Sequence, residues 1–259
     1  MENFFGAAFE PQEGQWYCWN TNGARGYIQK KGERWYMAFQ ALPFTEMTGG
    51  FAGPLEVESP GDLPRSVMID PGNALVVYPV LNEKPYLVPL TEKLSLVPAG
   101  EVRLTVLFPP VLVFETPEGQ RIGTFTPFTC AEAWFGDDTA QGMLCASLPA
   151  SCLVWEDAEA LKAPPSLIRC PLRIHNHSKT PLELDRLAIY TEPLSIYNYE
   201  GLVWTDTVVM DCTVGGNIEM NLLPDIPESY RKIRGPVHSG MGDILIRQGA
   251  DFIKNITSL

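Results

Sequence analysis

The feature that most constrains this chain is a repeated pattern of short apolar segments separated by turn residues. Segments such as 16–19, 34–39 and 74–81 are rich in aromatic and β-branched residues, which suit the pleated surface of a sheet. The 22 glycines and 23 prolines are scattered between the segments, as expected for many strands joined by many turns. The sequence therefore predicts a mainly β protein whose sheets, rather than helices, bury most of the apolar residues.

The same pattern predicts two packed β-sandwich or barrel-like domains. A brief helical or solvated piece at 156–162 precedes Ala163-Pro164-Pro165, so the predicted domains are residues 1–155 and residues 163–259. The second domain has several strands between 166 and 223, and we interpret it as an immunoglobulin-like sandwich.

The C-terminal end has a different period. In residues 242–259 the apolar side chains include spacings of three and four, and Asp243 is a suitable N-cap. This pattern predicts that the second domain ends in one short amphipathic helix that packs across a sheet.

The charge balance disfavours several classes of partner. The formal net charge is −12, whereas a nucleic-acid or anionic-membrane binder needs a positive surface. The one basic run, Arg231-Lys232-x-Arg234, could form a local patch, but a solvated turn is the preferred interpretation. With no secretory signal and no apolar stretch long enough to span a bilayer, we expect a cytoplasmic protein without membrane insertion.

Six cysteines are present, and their spacing contains no Cys-x-x-Cys pair. The spacing therefore indicates neither a zinc knuckle nor a thioredoxin-type redox site. Several lie within apolar segments, as Cys18 and Cys170 do, so we interpret most of the six as small buried hydrophobic side chains.

His175 and His177 are the candidate metal ligands. Two residues apart on a regular strand, they would share one face of a sheet. With a carboxylate such as Asp185, Asp206 or Asp211 nearby they could bind zinc or another transition metal. A position at a sheet edge beside a turn would explain the pair equally well.

Other sequence patterns give little indication of catalysis. The glycine-rich run 235–243 lacks the Gly-Lys-Ser/Thr ending of a phosphate loop, and no Gly-x-Ser-x-Gly motif is present. Two carboxylates across a cleft could serve a glycosidase; the candidates are Glu115, Glu118, Glu132, Asp137, Asp138, Asp206 and Asp211. Aromatic side chains could line a sugar platform, although a core role is favoured for them; they are Trp16, Tyr17, Trp19, Trp35, Tyr36 and Trp134. The candidate ligand-binding residues are Trp134, Asp137 and Asp138.

Several segments together resemble a prokaryotic all-β domain family of unknown function. They are Pro98-Ala99-Gly100-Glu101 with the stretch 104–109, then 131–136 leading to 142–145, and 171–178 with Leu182-Glu183-Leu184. The resemblance covers about half of the chain, from 94 to 223, and implies an all-β architecture. Some members of that family are fused to mechanosensitive-channel-like membrane proteins. The family has no assigned activity, so the resemblance transfers no catalytic residue.

Taken together, these patterns predict a binding or regulatory module, without a cofactor, that recognises a protein partner or small ligand through its β surfaces. One alternative is a hydrolase that uses carboxylates, with or without a metal at His175 and His177. A second alternative is a structural homo-oligomer, because unpaired strand edges favour self-association.

Overall fold

A computed structural model describes residues 5–21, 23–44, 51–136, 142–155, 157–213, 218–223 and 226–237. Nearly all of the regular structure in these ranges is β, which confirms the predicted fold class. The helical elements described are a 3₁₀ turn at Ala150–Cys152 and α1 at Asp157–Lys162. No helix in the described ranges is long and apolar enough to cross a membrane. The predicted helix at 242–259 lies outside them.

The strands of the first part of the chain are β1 (Ala8–Phe9), β2 (Trp16–Thr21), β3 (Ala24–Lys31), β4 (Arg34–Gln40), β5 (Leu42–Pro43), β6 (Phe51–Val57), β7 (Arg65–Ile69), β8 (Leu75–Val80), β9 (Tyr86–Leu96), β10 (Glu101–Phe108), β11 (Val111–Glu115), β12 (Arg121–Phe125), β13 (Phe128–Thr129), β14 (Ala131–Phe135), β15 (Met143–Ser147) and β16 (Leu153–Val154). Those that follow α1 are β17 (Ile168–Asn176), β18 (Leu182–Ile189), β19 (Ile196–Tyr199), β20 (Leu202–Thr205), β21 (Thr207–Cys212), β22 (Ile218–Leu223) and β23 (Arg231–Arg234).

The strands form five sheets within the described ranges. Three of them have the strand orders β6-β2-β3-β4-β7, β1-β8-β11-β12 and β14-β15-β9-β18. The largest follows the order β16-β10-β17-β20-β19-β23, with β21 paired to β17 and β22 paired to β21. Strands β13 and β5 form a short parallel pair. One large hydrophobic cluster packs between the sheets, with Trp19, Trp35, Phe108 and Phe114 nearly or fully inaccessible to solvent.

Two segments differ from the sequence prediction. The Gly-Gly, Gly-Pro and Pro-Gly pairs of residues 42–65 predict a loop, yet β6 pairs with β2 there. Gly53 and Pro54 interrupt the sequence pattern but are tolerated because β6 is an edge strand, which can accommodate a residue without an N–H. The basic run 231–234 was interpreted as a solvated turn, yet it forms β23 on β19.

Strands from both sides of residues 156–162 share two sheets. Strand β10 pairs with β17 through eight residue pairs, and β9 pairs with β18. The main hydrophobic cluster also contains residues from both parts of the chain. The division into domains 1–155 and 163–259 stays a prediction, and the site described below is built from strands on both sides of it.

All six cysteines are free thiols, and five of them are buried, which agrees with their interpretation as small hydrophobic side chains. Burial raises the pKa of Cys152 and Cys170 to about 12, and that of Cys130, Cys145 and Cys212 to about 11. A thiol must lose its proton to attack an alkylating reagent. The five thiols with a pKa of about 11 or 12 therefore stay protonated in the folded protein at pH 8.

We expect iodoacetamide at pH 8 to alkylate these five cysteines very slowly in the native protein and rapidly after unfolding in urea, because unfolding removes the burial that protects them. Peptide mass spectrometry of the two samples gives the labelled fraction at each cysteine. Rapid native labelling of Cys170, which is fully buried, would contradict the packing described here.

Candidate metal centre

Alternation along β17 places the two histidines on one face of the largest sheet. Leu172, Ile174 and Asn176 are buried, whereas Arg173 and His175 between them are partly exposed. Because side chains alternate between faces with a period of two, His177, just after the strand, follows on the side of His175. The predicted shared face is confirmed by the ring centroids, which lie 5.6 Å apart with the ring planes at 89°.

The turn that follows β17 holds His177 in place. Asn176 is buried, and its amide nitrogen donates to the carbonyl oxygens of Leu96 (2.8 Å) and Thr180 (2.9 Å). Its amide oxygen accepts hydrogen bonds from the backbone nitrogen and the hydroxyl of Ser178. The His177 backbone nitrogen donates to the carbonyl of Cys212 at 2.7 Å. Asn and Ser are typical of turns because their side chains can bond the turn backbone, and Asn176 and Ser178 do so here.

Strand register places acidic residues on both sides of His175. Glu101 on β10 pairs with His175 across one side of β17, and Asp211 on β21 pairs with it across the other. Glu219 on β22 is in turn paired with Asp211. Directly paired residues point to the same face of a sheet, so one row across four strands reads Glu101, His175, Asp211, Glu219.

Three side chains of this region converge on one point. The Asp211 Oδ1 atom lies 3.2 Å from Nδ1 of His175 and 3.0 Å from Nε2 of His177. One ligand atom from each residue lies within 4.8 Å of the other two. The side chains are 28% (His175), 58% (His177) and 24% (Asp211) exposed, so the cluster is accessible from solvent.

Two neighbouring groups orient the cluster from outside. Asn221 Nδ2 donates to Asp211 Oδ2 at 3.3 Å, which leaves Oδ1 facing the histidines. Glu101 Oε2 lies 3.3 Å from His175 Nε2, but the angle between them does not allow a hydrogen bond. His175 Nε2 is buried and has no hydrogen-bond partner among the described residues. Arg103 hydrogen-bonds Glu101 Oε1 at 2.8 Å and thereby lowers the pKa of Glu101, which keeps that carboxylate charged.

The arrangement fits a tetrahedral transition-metal ion. Zinc binds imidazole nitrogen and carboxylate oxygen at about 2.0–2.2 Å, so tetrahedral ligand atoms lie about 3.3 Å apart. The separations of 3.2 and 3.0 Å need only small side-chain adjustments to reach that value. Histidine ligands usually direct their second ring nitrogen at a carboxylate, which is the position of Glu101 relative to His175. His175 and His177 with Asp211 can thus hold such an ion through three protein atoms.

The other candidate residues from the sequence lie apart from this cluster. Asp206 is buried and accepts hydrogen bonds from Ser195 N (2.6 Å) and Tyr197 Oη (2.9 Å). Asp185 lies 3.7 Å from the side chain of its neighbour Arg186. Of the three carboxylates considered beside the histidine pair, only Asp211 is therefore found with it.

The proposed ligand-binding group is described only in part. Trp134 is 39% exposed on β14, and its indole ring packs against the backbone of Gly142 so closely that an added Cβ would overlap it. Asp137 and Asp138 lie outside the described residues, so the grouping of these three stays a prediction.

The carboxylates and aromatic residues considered for a sugar site have other surroundings. Glu115 is buried in an ion pair with Arg234, and Glu132 pairs with Lys84. Four of the aromatic side chains are buried, as their core interpretation predicts; they are Trp16, Tyr17, Trp19 and Trp35.

Sequence reasoning missed Glu101 and Asn221. Glu101 is 74 positions from His175, and only the antiparallel register of β10 on β17 brings the two together. Asn221 reaches Asp211 through the β21–β22 hairpin. A signal for the hairpin was present, because Gly215-Gly216 separates two apolar segments, but no pattern in the sequence specifies which strand lies beside β10.

The fold and the cluster together define an all-β protein with a His-His-Asp site at the surface of its largest sheet. The family model described as "Protein of unknown function (DUF432)" matches residues 5–234, and the chain belongs to this family. The match extends on both sides of the part in which the sequence showed its resemblance. No curated protein matches the chain, and no solved structure matches it.

Proposed function

We propose that this protein is a metal-binding module whose ligand is a divalent transition-metal ion such as Zn²⁺, held by His175, His177 and Asp211. The observation that carries the proposal is the position of Asp211 Oδ1, 3.2 Å from one imidazole nitrogen and 3.0 Å from the other. Two imidazoles with one carboxylate form a donor set suited to zinc and its neighbours rather than to Mg²⁺ or Ca²⁺, which prefer oxygen ligands.

The charge around the cluster supports a bound cation. Asp211 and Glu219 are directly paired across β21 and β22, and like charges in that position destabilise a sheet. Glu101 adds a third carboxylate to the same row, which its ion pair with Arg103 partly neutralises. A dication between these groups would offset the repulsion, and metal binding would thereby stabilise the fold.

The exposure of the cluster favours binding over hydrolysis. Three protein ligands leave the fourth position of the metal open for water. Catalytic zinc sites also have three protein ligands and an open position, and the hydrolase alternative requires the same arrangement. However, hydrolytic sites lie in clefts that enclose the substrate, whereas the side chain of His177 is 58% exposed. An ion exchanged with solvent at the surface therefore accounts better for this geometry.

A cytoplasmic location forms part of the proposal. Free thiols persist in reducing compartments, and all six cysteines are free even though the chain has enough of them for three disulfides. In such a compartment the ion would be drawn from the exchangeable pool of transition metals.

The proposal predicts that the purified protein binds one Co²⁺ or Zn²⁺ per chain. We expect a Co²⁺ titration to produce the visible absorption of a four-coordinate site, which added Zn²⁺ removes. The double variant H175A/H177A should lose this absorption because only one carboxylate ligand remains. Asn221→Ala should keep the site but weaken binding about 10–100-fold, as expected when a group that orients a ligand is removed.

Two controls make the titration specific. His238→Ala removes the third histidine of the chain, and Asp185→Asn removes a carboxylate that lies apart from the cluster; both should bind as the parent protein does. Urea unfolding of each variant without metal establishes that the fold is retained. Unchanged stoichiometry and affinity in a folded H175A/H177A protein would exclude the proposed site.

A further inference from the structure

A second candidate site is a cavity whose lining includes two arginine side chains, Arg121 and Arg234. The cavity has a volume of about 410 Å³ and lies where β8, β11 and β12 approach the segment 234–237. A cavity of about 300 Å³ adjoins it, because the two share Val80–Glu83, Arg234, Gly235 and Val237. Volumes in this range are typical of small-molecule sites.

The walls of the larger cavity divide into an apolar and a polar part. Val80, Val111 and Val113 form an aliphatic part of its lining. The polar part comes from β12 and the residue after it: two hydroxyl groups from Thr124 and Thr126, and one guanidinium from Arg121. Apolar walls with a few converging polar groups are the usual composition of a binding site for an organic molecule.

Arg234 enters this cavity in a fixed orientation. Its Nη1 and Nη2 atoms donate to the two oxygens of Glu115 at 2.7 and 2.8 Å. Its guanidinium also lies over the ring of Tyr78, 4.9 Å from the centroid. A guanidinium has five N–H donors, so the bidentate pair leaves three of them for other acceptors.

Arg121 adds a charge that this pair does not neutralise. It is the cross-strand neighbour of Glu115, since β12 pairs with β11 at these two residues. Glu115 is already engaged by Arg234, and Arg121 has no carboxylate within 4.0 Å among the residues that the structure describes. Two guanidinium groups therefore lie at the Glu115 end of the lining. Glu83 also lines the cavity, but it follows β8 beyond the Val80–Val111 pair, at the opposite end of β11 from the Glu115–Arg121 pair. The charge of Arg121 is thus left without a carboxylate partner at its own end of the cavity.

We propose that this cavity binds a small organic carboxylate, with its apolar body against Val80, Val111 and Val113 and its carboxylate at Arg121. Guanidinium groups recognise carboxylates through paired, directed N–H donors. The threonine hydroxyls beside Arg121 supply further donors. This site is independent of the metal cluster, so the two proposals stand or fall separately.

Paired probes that differ only in charge test the proposal. We expect 4-phenylbutyrate to cause saturable shifts of the methyl resonances of Val80, Val111 and Val113 in NMR spectra of the full chain. The uncharged 4-phenylbutanamide, of nearly the same shape, should bind at least tenfold more weakly. Arg121→Gln should lower the affinity for the carboxylate to that of the amide.

Variants separate the contribution of the Arg121 charge to binding from that of the cavity volume. Thr124→Phe should abolish binding of both probes by filling the cavity, whereas Arg34→Gln, which removes an exposed charge from β4 in another sheet, should change neither. Equal affinity of the two probes, shifts confined to other residues, or the absence of saturable binding by the carboxylate would each overturn the proposal.

Discussion

Replacing Arg169 with methionine is expected to lower the free energy of unfolding by about 3–5 kcal/mol. Arg169 is completely inaccessible to solvent and donates to four backbone carbonyls. Its Nε bonds Ala160 O (2.8 Å), its Nη1 bonds Leu167 O (2.8 Å), and its Nη2 bonds Ala163 O (2.5 Å) and Pro164 O (3.3 Å). Methionine fills much of the space but removes the arginine donors from all four carbonyls, of which Pro164 O still accepts from the backbone nitrogen of Leu167 (3.1 Å).

The arginine therefore connects α1 and the segment after it to β17 through hydrogen bonds. No carboxylate lies within 4.0 Å of it among the described residues, and burial lowers the pKa of Arg169 to about 10. The charge is offset by the carbonyl dipoles and by the ring of Trp204, whose centroid lies 5.9 Å from the guanidinium carbon. Urea unfolding followed by tryptophan fluorescence gives the change in free energy. Arg173→Met, on the half-exposed face of the same strand, is the control and should cost less than about 1 kcal/mol. A similar loss in both variants would contradict this role of Arg169.

Replacing Arg234 with methionine should be similarly costly, by about 3–5 kcal/mol, because it leaves the buried carboxylate of Glu115 without its partner. The Glu115 side chain is only 8% exposed, and Arg234 joins it across 119 positions of sequence. The pair connects β23, the last described strand, to the four-stranded sheet that contains β11.

A double-mutant cycle separates the two contributions. E115M/R234M removes both charges and should recover most of the loss, since a buried ion pair replaced by apolar groups of similar volume is often nearly neutral. Lys232→Met, on the same strand but exposed, controls for effects of charge alone. If R234M cost no more than Lys232→Met, the ion pair would not anchor β23.

Local patterns in the sequence were sufficient to predict most strands. Aromatic and β-branched segments predicted β2, β4 and β8. Strands whose existence depends on pairing partners were missed. Nothing in the basic sequence of β23 indicates a strand, and its place follows from the register on β19 and from Glu115, neither of which is local.

For the candidate site too, the local part was predictable from the sequence and the part that depends on strand pairing was not. A spacing of two placed both histidines on one face, because strand periodicity is a local property. The choice among Asp185, Asp206 and Asp211 could not be made, since it depends on which strand pairs with β17 and in what register. The parallel pairing of His175 with Asp211 decides it.

Anomalous X-ray scattering at the zinc absorption edge, from crystals of the protein loaded with Zn²⁺, tests the metal centre most directly. We predict one strong peak about 2.0–2.2 Å from His175 Nδ1, His177 Nε2 and Asp211 Oδ1. Crystals grown with excess Zn²⁺ that show no anomalous peak among these three side chains would contradict the central claim.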